Sequence, residues 1–195
     1  MTSRPILAAA AAVLVVVPGA YADVVDSGTV NITIPRTFDG LEVDVVTGAT
    51  STTFGLSSSD FNIYASSANW FNFSRSANTS SDPDGGIALD GTVIKLFSAG
   101  DTVGPAENFD GGVDPFGGAG PFDGYIGFSF FNEAGGTQHF GYAQLSLPAT
   151  GDGTLISYGY ESSPNTALVI PVPEPTSLAL LGAGGLVVLR RRRSA

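Results

Sequence analysis

The side chains of this chain that could do chemistry are mostly carboxylates, and many of them cluster with glycine. Asp82-Pro83-Asp84-Gly85-Gly86 is followed by Asp90-Gly91, and Asp110-Gly111-Gly112-Val113-Asp114 by Asp123-Gly124. Oxygen ligands on pliable backbone suit calcium outside the cell, so a metal, if taken, is expected at Asp82, Asp84 and Asp90 or at Asp110 and Asp114. Neither stretch has EF-hand spacing, and Asp-Gly is also plain turn chemistry. Glu107, Glu133 and Glu161 could supply the carboxylate pair of a polysaccharide hydrolase, which must stand about 5 to 10 Å apart. His139 is the single histidine. A Ser-His-Asp site would need it beside a serine such as Ser129 or Ser146, but the chain has no Gly-x-Ser-x-Gly turn. A histidine metal site lacks its second ring. Cysteine is absent, which excludes thiol nucleophiles, thiolate metal sites and disulfides. These residues favour a protein that is not an enzyme, with no cofactor other than calcium.

Charge narrows the partners. The net charge is -10, but the basic residues sit at the ends: Arg4 near the start and Arg190, Arg191, Arg192 and Arg193 near the finish. From Asp23 to Val172 only Arg36, Arg75 and Lys95 face seventeen acids, a net of -14. Such a body repels phosphate backbones, so no nucleic-acid partner is expected.

The two ends read as addresses. Arg4 precedes an apolar run of twelve, Ile6 to Val17; Pro18-Gly19 then breaks the helix, and Ala20-Tyr21-Ala22 supplies small residues for a signal peptidase. Cleavage after Ala22 would make Asp23 the first residue. Twelve residues fall short of the roughly 20 that a permanent span needs. At the other end, Val172-Pro173-Glu174-Pro175 precedes a short apolar helix candidate, Ser177 to Leu189, and then Arg190 to Arg193. Pro173 and Pro175 keep the chain extended, as a protease cleft prefers. The apolar run can enter a bilayer, and the arginines stop translocation.

This ordered trio, from Val172-Pro173-Glu174-Pro175-Thr176-Ser177-Leu178 through the arginines, resembles the PEP-CTERM sorting signal of exported bacterial proteins. The resemblance implies processing near Pro173, Glu174 and Pro175 by an exosortase, in bacteria that often make extracellular polysaccharide. Tails of this kind are also described as a C-terminal domain of ice-binding proteins, a description of the tail alone.

The expected organisation is therefore a signal peptide over 1–22, an extracellular domain over 23–170 and a sorting and anchoring tail over 171–195. The domain should be all-β. Val30, Ile32 and Ile34 alternate, as do Leu41, Val43 and Val45 against Glu42 and Asp44; Phe61 to Tyr64, Trp70 to Phe73 and Thr92 to Phe97 are further strand candidates. Tyr125 to Phe131, Thr137 to Leu147 and Thr154 to Tyr160 form an antiparallel meander, with Glu133-Ala134-Gly135-Gly136 and Gly151-Asp152-Gly153 as turns. Gly127, Gly141 and Gly159 inside these strands mark close packing or bulges. Many short strands and no helical period suggest an antiparallel β-sandwich, jelly-roll-like or another Greek key, flanked by the signal helix and a short C-terminal transmembrane helix. The function expected is that of an exported structural or adhesion domain at the cell surface or in the extracellular matrix. A glycan- or ice-binding module and an extracellular polysaccharide hydrolase are the alternatives.

Overall fold

A computed structural model describes residues 23–67, 70–75, 85–110, 114–115, 121–132 and 136–172. Both expected terminal helices lie outside these residues. Among the described residues every regular element is a strand and every pairing is antiparallel. No helix there is long and apolar enough to cross a membrane.

The centre is the expected meander: β13 (Phe122–Asn132), β14 (Thr137–Leu147) and β15 (Gly153–Glu161). β13 and β14 pair without a slip from Phe122↔Leu147 to Asn132↔Thr137. Between β14 and β15 the register shifts once, at Gln144/Leu145. β1 (Val24–Asp26) and β2 (Ile32–Ile34) follow one another in the same direction along one edge of β15, with an irregular stretch between them in which Gly28 and Asn31 take φ of 63° and 51°. The expected alternation from Thr29 is thereby cut to three residues.

β7 (Gly86–Asp90) extends the sheet beyond β13 and carries β11 (Asn108–Asp110) on its outer edge. The expected strand over Thr92 to Phe97 is two pieces. β8 (Val93–Ile94) folds back on β7 around a two-residue turn with Gly91 at φ 66°, and β9 (Leu96–Phe97) joins β13. A second sheet contains β3 (Leu41–Val43), β4 (Thr50–Ser51), β5 (Phe61–Ser67), β6 (Trp70–Arg75) and β12 (Asp114–Pro115), in the order β12-β6-β5-β3-β4. A small ribbon pairs β10 (Thr102–Val103) with β16 (Leu168–Val169).

Strand alternation sends side chains to both faces of the central sheet, and both faces are covered. On one face Ile126, Phe128, Phe130, Ala143, Leu145 and Leu155 share a cluster with Leu41, Val43, Phe61, Ile63, Phe71 and Phe73 of the second sheet. The rings of Phe61 and Phe128 meet there at 5.0 Å. On the other face Phe140, Tyr142 and Ala88 pack with Phe97, Val103, Leu168 and Ile170. The strand glycines mark close packing, as expected. A methyl group on Gly127 would come within 2.9 Å of Phe97 and Val103, and one on Gly159 within 2.8 Å of Tyr142.

Two of the three basic residues of the body are ties within it. Arg36 donates through Nε to the Gly151 carbonyl at 2.6 Å and lies over the Phe71 ring at 4.4 Å, joining the β14–β15 turn to the second sheet. Lys95 pairs with Glu107 at 2.7 Å.

Candidate functional site

The sorting residues Pro173, Glu174 and Pro175, the stop-transfer residues Arg190 to Arg193, and Ala20 and Ala22 at the cleavage position all lie outside the described residues. Their neighbours do not. Ile170 is buried in the second-face cluster and the chain leaves the domain at Pro171 and Val172. Asp23 enters directly into β1, where Val24 pairs with Glu161.

Only part of the expected calcium set lies among the described residues. Asp82 and Asp84 lie outside the described residues. Asp90 and Asp110 are exposed on neighbouring strands, but Asp110 pairs with Ile87, three positions from Asp90, a separation of about 10 Å along the strand. Asp114 belongs to the other sheet, opposite Phe73. Among the described residues no group of three or more acidic or histidine side chains is placed to hold a metal.

Of the hydrolase carboxylates, two can be compared. Glu133 lies outside the described residues. Glu161 ends β15 and Glu107 precedes β11, four strand spacings away across the sheet, or about 19 Å. His139 is a packed residue. It is buried and stacked on Phe130 at 5.6 Å, with Nδ1 2.8 Å from the Glu161 carbonyl and Nε2 3.0 Å from Thr137 Oγ1. Ser129 points to the opposite face from Phe130, which pairs with His139. Ser146 stands seven residues further along β14, about 23 Å away.

Two of the acids that the structure brings inward are ones the sequence places opposite the apolar half of an alternation. Glu42 and Asp44 are almost fully buried. Glu42 Oε2 accepts the Gly55 and Leu56 N–H groups at 3.0 and 2.7 Å. Asp44 Oδ1 accepts those of Val46 and Thr47 at 3.0 and 2.8 Å, and Asp60 Oδ2 that of Val45 at 2.7 Å. Burial pushes the Asp44 carboxyl up, but hydrogen bonds from Thr47, Ser58 and Val46 outweigh it and hold the group below its ordinary value. Asp44, Asp60, Ser58, Thr47 and Asn132 line a cleft of about 270 Å³ beside Phe131. Burial, and secondarily the Asp44 and Asp60 carboxylates, raises the phenols of Tyr158 and Tyr160. A smaller cleft, about 170 Å³, lies between Asp26, Tyr125, Tyr142 and Gln144. There the Tyr142 hydroxyl donates to Asp26 Oδ2 at 2.9 Å, and burial followed by that carboxylate pushes the phenol far above its ordinary range.

These features describe an acidic all-β domain whose inward acids are tied to backbone amides, with Val24 and Ile170, near the two limits of the described residues, on one face. Residues 171–193 match the PEP-CTERM protein-sorting motif. That match supports an exported protein sorted by an exosortase through a membrane-anchored signal. No curated protein and no solved structure matches the chain.

Proposed function

We propose that the body is a non-enzymatic structural or adhesion domain, trimmed at both ends during export and left at the cell surface or in the extracellular matrix. The observation that carries this is the sorting motif at residues 171–193, immediately beyond Ile170, the last buried residue among those described. The arginines stop translocation because each costs about 2.5 to 3.5 kcal/mol at a bilayer centre. The Pro-Glu-Pro element is then held extended at the outer boundary, within reach of a membrane enzyme. Signal peptidase cuts after Ala22, and Asp23 becomes the first residue. We read the two sheets as the layers of a β-sandwich, because Phe61 and Phe128 meet between them. The non-enzymatic reading is supported by how the carboxylates are used: Glu42 and Asp44 bind loop amides, and Glu107 holds Lys95.

Mass spectrometry of the protein exported by a host with an exosortase tests the sorting reading. The mature chain should begin at Asp23 and end near Pro173 to Pro175. Replacing Pro173, Glu174 and Pro175 together with alanine should leave uncut chain in the membrane fraction. Retention of Arg190 to Ala195 on most of the mature protein would overturn the reading.

A further inference from the structure

Among the described residues Glu161 is the most completely enclosed acid, at 0% exposure. Its Oε1 accepts two backbone donors, Asp23 N at 3.1 Å and Ser163 N at 2.8 Å. Its Oε2 is buried and has no hydrogen-bond partner among the described residues. Buried polar atoms in native proteins are nearly always paired, and a carboxylate enclosed without a counter-charge is costly. The Asp23 nitrogen that touches this carboxylate is the atom that signal cleavage changes.

We propose that Glu161 is a built-in receptor for the chain's own new N-terminus: the α-ammonium released ahead of Asp23 docks on this carboxylate as an enclosed ion pair, so that export processing completes the fold. The inference rests on cleavage after Ala22. In the uncut chain the Asp23 nitrogen is a neutral amide with one hydrogen, already committed to Oε1. Hydrolysis of the Ala22–Asp23 peptide bond adds water across it, leaving a carboxylate on Ala22 and an amine on Asp23. That amine binds a proton in neutral solution, since an α-amino group titrates at about 7.7 to 8.0. It then offers three hydrogens and a full positive charge at the same place, enough to keep Oε1 and supply Oε2. Its position is fixed by backbone pairing. The Asp23 carbonyl accepts the Ser162 N–H at 3.1 Å, and Val24 pairs with Glu161 itself. Glu161 is held from its other side as well, because its carbonyl faces His139 Nδ1.

The test uses the full chain as exported, with its first residue read by mass spectrometry so that the cleavage position is checked separately. A chain starting at Asp23 has two amines, the α-amine and Nζ of Lys95, the single lysine. Brief acetylation near neutral pH should modify the Asp23 amine at least ten-fold more slowly in the native protein than in E161Q, with the Lys95 rate unchanged. Equal α-amine rates in the two proteins, both starting at Asp23, would overturn the proposal. Inserting one glycine between Ala22 and Asp23 keeps Glu161 but restores an amide at Asp23 and moves the charge one residue away. This should lower Tm by about 4 °C or more in a domain of this size, and an unchanged Tm would overturn the proposal even if E161Q does not fold.

Discussion

The two faces of the central sheet are covered in different ways. On one, Ile126, Phe128 and Phe130 of β13, Leu145 of β14 and Leu155 of β15 meet a whole second sheet, with Phe61, Ile63 and Phe73 opposite. On the other, Phe140 and Tyr142 are covered by short pieces of chain, β9 and the two-residue strands β10 and β16. Val24 and Ile170, next to the two proposed processing points, both pack on this second face. On that proposal the domain separates what holds it together from what export acts upon. The large face gives stability, and the small face receives the chain ends.

If that division is right, substitutions on the two faces should differ in size and in kind. Phe128→Ala removes a ring with no exposed surface from the middle of the large face, and should cost about 3 to 5 kcal/mol of unfolding free energy in denaturant titration. A loss under about 1.5 kcal/mol would mean that the two sheets are not bound through this contact. Leu168→Ala on the small face should cost less, about 2 to 3 kcal/mol. Its signature should be local: faster hydrogen exchange at Val103 and Ile170 while β13 and β14 stay protected. Uniform loss of protection would show that the two faces melt as one unit.

The smallest effect should come from the rim of the large face. Asp44→Asn removes a carboxylate whose folded-state pKa is lowered, and should cost about 1 to 2 kcal/mol at neutral pH. A depressed carboxyl stabilises in full above its unfolded value, near 4, and loses that contribution as pH falls through the folded value. The gap between wild type and D44N should therefore close as acid unfolding is followed below about pH 4. A gap that stays constant would assign the loss to geometry and not to charge.

The same division explains what could be read in advance. The meander of β13, β14 and β15 consists of long runs rich in aromatic and β-branched residues bounded by Gly-containing turns, so local pattern alone specifies it. The tail is legible because three signals stand in a fixed order within two dozen residues. The small face is not legible. β10 and β16 are two residues each, and no periodicity exists in so short a strand. Glu42 and Asp44 mislead for a different reason. Alternation implies that the acid half of β3 faces water, but loop amides at Gly55, Leu56, Val46 and Thr47 provide enough donors to bring both acids inside. Glu161 could not be matched to Asp23, because 138 residues separate them and only the folding of β1 onto β15 brings them together.

The burial of Ile170 also sets a clearance. Between it and Leu178, the first leucine of the apolar tail, lie seven residues, 171–177. Fully extended they reach about 25 Å. A finished domain tethered by the uncut tail would therefore ride close above the bilayer. An enzyme cutting near Pro173 to Pro175 would have to work in the narrow gap beneath it. Folding of the domain and access to the cut site would then compete for the same space, so a longer spacer after Val172 should speed trimming without any change to the motif.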